Sequence, residues 1–288
     1  MERYDIAIVG SGPAGLEAAV NAKIRNKNVI FFGSSDLSNK VVKAPLISNY
    51  LGFPGITGSA LKNKFEEHIS AMDISLVYER VNTIYAMGDY FALMVNEKTY
   101  EASTVILSTG VEYTKAIKGE EKFLGKGVGY CATCDAPLYK GKIVTVISYN
   151  KSFEDEANYV SELAGKLYYV PLYVGGNKLN ASIEVINERP VEIQGTDRVT
   201  NLSLLHRTID TDGVFILKDS VPPSQLMPGL DIENGHIKVD RSLKTNIPGC
   251  FAAGDCIGKP YQYMKAAGEG QVAALNAVAY LDNLKHNY

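Results

Sequence analysis

The sequence contains little of what marks several large classes of protein. It has no tryptophan and only four cysteines in 288 residues, too few for a disulfide-stabilised scaffold. Its 29 basic and 32 acidic residues give a net charge of −3, which indicates neither nucleic acid nor an anionic membrane as a partner. No apolar run reaches the roughly 18 residues of a membrane helix, and no basic-then-apolar leader precedes the first predicted strand. We therefore expect a cytoplasmic protein.

A close pair of cysteines stands out against this background, in the motif Cys131-Ala132-Thr133-Cys134-Asp135. Two thiols at this spacing can close into a disulfide and reopen, which stores and releases two electrons. Asp135 adds a carboxyl group beside the second sulfur, where it can move the proton that thiolate chemistry requires. Capping of the loop is the alternative role for this carboxyl group.

Alternatively, the cysteine pair could form half of a zinc site. A structural zinc needs about four ligands, usually including a second close pair of Cys or His. The remaining cysteines, Cys250 and Cys256, are six residues apart, and no histidine lies near either pair. The pattern therefore favours redox chemistry and no metal site. Cys250 and Cys256 flank an apolar strand and are predicted to be buried, inert thiols.

A glycine-rich turn near the start of the chain predicts a dinucleotide site. A short apolar run at residues 4–9 is typical of a buried parallel strand, and it leads into Gly10-Ser11-Gly12-Pro13-Ala14-Gly15. In this pattern the first glycine permits a tight turn, the second admits a pyrophosphate and the third lets helix and strand pack closely. The usual acid after the second strand is missing, so ribose binding falls to backbone groups or to Asp36.

The remaining patterns predict an α/β chain in which strands and helices alternate. The predicted elements are helices at residues 14–25, 61–72, 153–163 and 262–281, a meander within residues 74–107, strands at residues 28–32, 142–147 and 167–174, paired strands at residues 198–206 and 209–217, and a short strand ending at Gly254-Asp255.

The second predicted strand–helix–strand unit lacks the residues that bind a phosphate. Ser148, Asn150 and Phe153 occupy its three glycine positions, and the strand that follows, residues 167–174, contains no arginine. A side chain at each glycine position would block a pyrophosphate. Without arginine, a phosphate would also lack charge-assisted hydrogen bonds, each worth about 1.5–3 kcal/mol.

Together these motifs resemble the low-molecular-weight thioredoxin reductases over nearly the whole chain. The glycine loop, the cysteine motif and Gly254-Asp255 carry the match. The resemblance implies an α/β fold of two Rossmann-like, three-layer dinucleotide-binding domains. A discontinuous FAD-binding domain would comprise residues 1–112 and 242–288, and the inserted domain at residues 113–241 would carry the cysteines.

The resemblance also assigns roles to single residues. Cys134 would face the flavin of FAD, Cys131 would attack the partner disulfide, and Asp135 would act as acid and base. Tyr288, at the end of the chain, is an aromatic that could stack on the flavin, or else part of a frayed terminus. The residues expected to bind FAD are Gly10, Ser11, Gly12, Pro13, Ala14, Gly15, Asn49, Thr109, Gly110, Gly254, Asp255, Gln262 and Tyr288.

The missing second fingerprint looks like that of the ferredoxin-dependent flavin thioredoxin reductases of anaerobic bacteria. In those enzymes the inserted domain keeps its fold but does not bind a nicotinamide. We therefore expect a homodimer that takes electrons from ferredoxin and reduces thioredoxin. Lysines between residues 115 and 142 would attract an acidic donor, or belong to an ordinary solvated loop. The alternatives are an NADPH-dependent reductase with an atypical nucleotide site and a flavin-bearing redox sensor without turnover.

Overall fold

The computed structural model describes residues 3–33, 37–96, 98–111, 116–175, 178–218 and 222–286, without the side chains of Asn39, Cys134, Lys285 and His286. The strands are β1 Arg3–Val9, β2 Val29–Phe32, β3 Thr83–Ala86, β4 Phe91–Val95, β5 Lys98–Leu107, β6 Val128–Gly129, β7 Ile143–Ser148, β8 Lys166–Pro171, β9 Glu184–Val185, β10 Pro190–Gly195, β11 Val199–Leu204, β12 Thr208–Asp210, β13 Gly213–Leu217, β14 Ile232–Glu233, β15 His236–Ile237 and β16 Cys250–Ala252. The α-helices are α1 Pro13–Ile24, α2 Asn39–Val42, α3 Gly58–Ala71, α4 Ala132–Asp135, α5 Glu154–Leu163, α6 Pro223–Leu226 and α7 Tyr263–His286.

The chain divides into two compact units. Residues 1–112 and 222–288 form unit 1, and residues 113–221 form unit 2. The chain therefore returns to unit 1 earlier than the predicted boundary at residue 242. Residues 222–241 belong to unit 1 because their polar groups bond within it: His236 Nε2 lies 2.7 Å from Tyr261 Oη, and the Asn246 side chain donates to the Gly229 carbonyl at 2.8 Å. This segment has no apolar periodicity, so the sequence pattern could not assign it.

The sheet of unit 1 brings three chain segments together at one edge. Its order is β2-β1-β5-β4-β3, and β16 also pairs with β5. β1 is parallel to β2 and β5, and β16 is parallel to β5, whereas β3 and β4 complete an antiparallel meander with β5. The carboxyl ends of β1, β5 and β16 consequently lie side by side, which is where ligands bind in open α/β sheets.

Small residues let the two long helices of unit 1 approach closely. In α1, Ala14, Ala18 and Ala22 are buried in one core with alanines of α7. A Cβ on Gly270 of α7 would come 2.0 Å from the Ala14 carbonyl oxygen. The C-terminal helix is therefore held against the start of α1, where the glycine loop ends.

Unit 2 contains a parallel sheet and a separate antiparallel sheet. The parallel order is β6-β13-β7-β8-β9, and β10-β11-β12 form the antiparallel sheet. We predicted that strands at residues 198–206 and 209–217 pair with each other. This prediction is wrong for the second strand. β11 pairs with the short β12, but β13 enters the parallel sheet between β6 and β7. The chain changes sheets at Thr211, whose buried hydroxyl hydrogen-bonds to the Gly213 carbonyl at 2.8 Å.

Candidate active site

Each glycine of the loop between β1 and α1 is needed for a different physical reason. Gly10 has a φ of +113°, and a Cβ there would come 2.3 Å from the Ser108 carbonyl oxygen. A Cβ on Gly15 would come 1.8 Å from the Gly10 carbonyl oxygen, so helix and strand pack closely. Gly12 is different, because a Cβ there would meet nothing within 4 Å. The space beside Gly12, at the start of α1, is therefore open to a ligand.

Two serines that the sequence analysis missed support the loop. The Ser108 hydroxyl donates to the carbonyls of Val9 at 3.0 Å and Gly10 at 2.9 Å. The Ser38 hydroxyl donates to the Ser11 carbonyl at 2.9 Å, and both side chains are buried. Single serines carry no sequence signal at this distance along the chain, so only the fold reveals these contacts.

The other predicted cofactor residues of unit 1 lie at the same sheet edge. Thr109 and Gly110 follow β5, and Gly254 and Asp255 follow β16. Gly254 has a φ of +84°, which favours glycine and turns the chain sharply at the end of the strand. The structure thus brings both pairs next to the glycine loop.

The carboxyl group of Asp255 lies in a half-buried, positively charged setting. Burial raises the pKa of Asp255, while the nearby charges of Lys40, Lys265 and His236 lower it. The Lys40 ammonium also donates to the Val111 carbonyl, close to Gly110. A carboxyl group in this position can accept hydrogen bonds from the hydroxyls of a polyol chain.

Asn49 and Gln262 are far apart in sequence but touch in the structure. The Asn49 side-chain amide donates to Gln262 Oε1 at 2.9 Å. Asn49 lies in a loop whose neighbours Tyr50 and Phe53 pack together, and Gln262 immediately precedes α7. Tyr288 and Asp36, the other candidates for this site, lie outside the described residues.

The cysteine motif lies at the carboxyl end of β6, at the edge of the parallel sheet of unit 2. Cys131 is half-buried and disulfide-bonded, and its sulfur lies 3.5 Å from the Thr133 hydroxyl. Ala132 and Ala136 are buried against β7 and β13, so this short helix is fixed on the sheet. The side chain of Cys134 lies outside the described set, and its pairing with Cys131 stays a prediction.

Asp135 follows the two cysteines in the chain and is partly desolvated. A Cβ on Gly129 would come 3.0 Å from Asp135 Oδ2, so the carboxyl group lies against the end of β6. Burial raises the pKa of Asp135. A carboxyl group with a raised pKa is better able to hold and release a proton near neutral pH.

The remaining cysteines are free and fully buried. Burial raises the pKa of Cys250 to about 12 and that of Cys256 to about 11, so both stay protonated at neutral pH. Within the described ranges, no group of three or more His, Cys, Asp or Glu side chains could hold a metal ion. Among the helices that the structure describes, none is long and apolar enough to cross a membrane.

The turn after β7 in unit 2 is occupied by its own side chains. The buried Ser148 hydroxyl donates to the Asn150 carbonyl at 2.8 Å, and Asn150 Oδ1 accepts from the Ser152 amide at 3.0 Å. Phe153 is buried in the core of unit 2. The backbone groups that a phosphate would contact in a glycine turn are therefore partly satisfied within the chain.

A buried carboxylate stands at the start of the next helix. Glu154 is the first residue of α5 and is almost fully buried. It accepts hydrogen bonds from the Tyr173 hydroxyl at 2.6 Å and from the Lys178 amide at 2.7 Å. The Tyr173 hydroxyl also lies 2.9 Å from the Tyr169 hydroxyl. Burial and the bond to Glu154 raise the pKa of Tyr173, so it remains a donor. The first residue of α5 is thus a buried carboxyl group that is hydrogen-bonded to residues following β8, and it is not open to a ligand.

The two units differ in their fit to a dinucleotide. Unit 1 presents an open position at Gly12, no acidic residue in the first turn of α1, and a carboxyl group across the sheet edge. Unit 2 presents three acids, Glu154, Asp155 and Glu156, in the first turn of α5. The geometry suits FAD in unit 1 and disfavours any dinucleotide in unit 2.

Comparison with known proteins agrees with this geometry. The family model for pyridine nucleotide-disulphide oxidoreductases matches residues 4–147 and 177–270. Thioredoxin reductase from Ureaplasma parvum is 32% identical, covering 97% of each chain, and that from Mycoplasma genitalium is 33% identical, covering 94% of this chain and 93% of the relative. A crystal structure of a ferredoxin-flavin thioredoxin reductase from Clostridium acetobutylicum is 64% identical with a TM-score of 0.95, covering 98% of this chain and 99% of that one.

The match to the family model is interrupted between residues 148 and 176. These residues contain the occupied turn, α5 and β8, which is the part of unit 2 where a nicotinamide dinucleotide would bind. Elsewhere the agreement extends over both units. Thioredoxin reductases of this family are FAD flavoproteins that act on disulfides. Motif, fold and similarity together show that the chain belongs to the thioredoxin reductases, within the pyridine nucleotide-disulphide oxidoreductase family.

Proposed function

We propose that this flavin-dependent disulfide reductase takes its electrons from ferredoxin and passes them to a thioredoxin. The observation that carries the proposal is the buried Glu154 carboxylate at the N-terminus of α5. A phosphate approaching the start of α5 would meet three acidic residues in the first turn and would find no glycine in the turn before it. Function depends on the site rather than on the fold, and this site has no place for NADPH.

The similarity to the Clostridium acetobutylicum enzyme supports the same donor. Ferredoxin delivers single electrons, and FAD can accept single electrons and release a pair. The residues proposed to hold FAD are the glycine loop, Asn49, Thr109-Gly110, Gly254-Asp255, Gln262 and Tyr288. Unit 1 would thus be the FAD-binding unit, and unit 2 would carry the redox cysteines.

Disulfide exchange would proceed through Cys131 and Cys134. Two electrons and two protons open their disulfide to a dithiol. The Cys131 thiolate then attacks the thioredoxin disulfide, forming a mixed disulfide and releasing one partner thiolate. Cys134 attacks Cys131 in turn, which releases reduced thioredoxin and restores the disulfide, while Asp135 transfers the proton. We further propose that the enzyme is a cytoplasmic homodimer.

A comparison of donors under anaerobic conditions tests the proposal. Flavin bleaching and thioredoxin reduction would be measured with NADPH, NADH and reduced ferredoxin at equal reducing power. We expect ferredoxin to drive both and the nucleotides to drive neither. Efficient thioredoxin reduction by micromolar NADPH alone would make the enzyme an ordinary NADPH-dependent reductase, and failure of every donor would favour a redox sensor.

The variant Cys131→Ser separates the two half-reactions. It removes the attacking thiol but leaves unit 1 unchanged, so ferredoxin should still bleach the flavin while thioredoxin turnover stops. Cys250→Ser is the matched control, because that thiol is fully buried. Full turnover in Cys131→Ser would remove this cysteine from the mechanism.

Surface lysines of unit 2 offer a docking site for an acidic donor. Lys122, Lys126 and Lys140 lie in the segment that flanks the cysteines, whereas the Lys118 charge is compensated by Glu192 at 2.9 Å. If docking is electrostatic, ferredoxin-driven turnover should fall as salt rises, because screening shortens to about 8 Å near physiological ionic strength. Flavin reduction by dithionite, which needs no protein donor to dock, is the control.

A further inference from the structure

A buried ion pair lies at the edge of the unit 2 sheet where the cysteine motif begins. Lys218 directly follows β13, and its ammonium lies 2.8 Å from Glu120 Oε1. The side chains are 6% and 2% exposed, so both charges are nearly removed from water. The parallel strands β6, β13 and β7 are neighbours, which places Lys218 at the same edge as the start of the cysteine motif.

The pair is embedded in a network that includes the residue before Cys131. The Tyr130 hydroxyl donates to Glu120 Oε1, and the Ile117 amide donates to Glu120 Oε2 at 2.8 Å. The Lys218 ammonium lies 5.7 Å from the centre of the Tyr130 ring and 5.4 Å from that of Tyr149. Glu120 therefore has partners on both oxygens, and Lys218 has a carboxylate and two aromatic faces.

Stability alone does not explain such a pair. Burying two charges removes their hydration, and well-packed apolar residues of similar volume are often as stable or more so. A buried ion pair is better explained when its charges act on something nearby. The nearest reactive group along the chain is Cys131, whose Cα is about 3.8 Å from that of Tyr130 across one peptide bond.

We propose that Glu120 and Lys218 are positioning residues for Cys131. Glu120 holds the Tyr130 side chain, which fixes the backbone where the cysteine motif begins. Lys218 neutralises Glu120, so a thiolate forming at Cys131 encounters no net buried negative charge. The proposal rests on the proposed function only in taking Cys131 as a redox cysteine.

Equilibration with dithiothreitol tests the proposal without thioredoxin or ferredoxin. The FAD-loaded enzyme is mixed with defined ratios of reduced and oxidised dithiothreitol, quenched with acid and alkylated, and the reduced fraction of Cys131 is read by mass. Flavin absorbance follows the flavin state in parallel. Failure of wild-type turnover with ferredoxin would count against the proposed function and leave this measurement unaffected.

Opposite shifts in two single variants are the expected signature. Measured at a pH at which the reduced Cys131 is a thiolate, Lys218→Met leaves Glu120 uncompensated and should lower the equilibrium constant for reduction about six- to sixteenfold, as for a unit charge roughly 10–15 Å away at an effective dielectric of about 20. Glu120→Gln leaves Lys218 uncompensated and should raise the constant by a similar factor. A tenfold change corresponds to about 30 mV for a two-electron couple.

Two further variants guard against a loss of folding. The double variant Glu120→Gln/Lys218→Met removes both charges and should return within about twofold of wild type, as should Lys218→Arg, which keeps the charge. Circular dichroism and FAD content would confirm that each variant folds. Shifts of the same sign in both single variants, or no shift in either, would overturn the proposal and leave the pair a structural feature only.

Discussion

The turns that follow β1 and β7 both connect a parallel strand to a helix, but they differ in the groups found in the turn. Each connects a buried parallel strand to a helix whose N-terminus points at the sheet edge. In unit 1 the turn is open at Gly12, and the first turn of α1 contains no acid. In unit 2 the turn contains the Ser148 and Asn150 hydrogen bonds, and the helix after it begins with the buried Glu154 and two further acids. The fold can therefore persist after a ligand site has been replaced by internal side chains.

The largest effect should come from closing the open turn. Gly12→Val should remove FAD almost completely, because the side chain would occupy the space that a pyrophosphate needs. The φ of Gly12 is −76° and its Cβ position is free, so the apoprotein should still fold. FAD content from absorbance and melting temperature together check this result.

Gly15→Ala is the matched contrast within the same loop. Its methyl group would overlap the Gly10 carbonyl, so we expect this change to lower the free energy of unfolding by at least the 1–3 kcal/mol usual for overpacking. Gly12→Val should thus lose FAD while its fold remains stable. Gly15→Ala should instead have a lower free energy of unfolding. A Gly12→Val variant that binds FAD normally would contradict the assignment of the loop.

The second-largest effect is expected at Asp135, in the cysteine motif of unit 2. Asp135→Asn should slow thiol–flavin exchange by about 10²–10⁴-fold, the usual contribution of a general acid or base, while FAD binding is unchanged. Rapid-reaction traces across pH check the rate. A rate and pH profile equal to wild type would leave Asp135 as a capping residue.

The same variant has a predicted signature in stability. Since burial raises the pKa of Asp135 above 3.8, the folded state binds its proton more tightly than the unfolded state. The stability contributed by this group is present below pH 3.8 and is lost as pH rises through the raised pKa. Asp135→Asn should therefore remove this loss and unfold at a higher denaturant concentration than wild type at neutral pH.

An intermediate effect is expected at the occupied turn. Glu154→Ala should lower the free energy of unfolding by about 1–3 kcal/mol, because the Lys178 amide loses its acceptor, whereas Tyr173 still has the Tyr169 hydroxyl at 2.9 Å. It also removes one of the three acidic residues in the first turn of α5, which makes this helix N-terminus less repulsive to an anion. Inorganic phosphate should therefore raise the melting temperature of this variant and leave wild type unchanged.

Glu154→Gln is the control for that experiment, because its amide oxygen still accepts one of the two hydrogen bonds and fills the space. It should be less destabilised and should gain nothing from phosphate. Equal stabilisation of all three proteins by phosphate would mean that Glu154 does not keep anions away from the start of α5.

The smallest effect is expected from restoring glycines alone. Ser148→Gly/Asn150→Gly should still show no flavin bleaching with NADPH, because Glu154 remains and residues 166–174 supply no arginine. Anaerobic titration with NADPH measures this directly. Bleaching at micromolar NADPH would show that the two turns differ by their glycines only.

Local sequence patterns predicted the parts of the molecule in which elements that follow one another in the chain are also neighbours in the fold. The strand, glycine loop and helix at β1 and α1 follow one another, and each has its own signal. The exchange of β13 into the parallel sheet was not predictable, because the pattern of polar and apolar residues does not show which sheet an apolar strand joins. Glu120 and Lys218 are 98 residues apart, and their pairing depends on strand order rather than on spacing. A lysine directly after a fully buried strand was the available signal for it.

The isolation of Cys250 and Cys256 has a practical consequence. Thiols with pKa values of about 12 and 11 in a closed core react with electrophiles only when the protein opens. A maleimide dye added to the freshly reduced native enzyme should label the cysteine motif of unit 2 alone. A fluorescent reporter could then be placed at the reactive edge of an otherwise unaltered chain, with no need for a cysteine-free background.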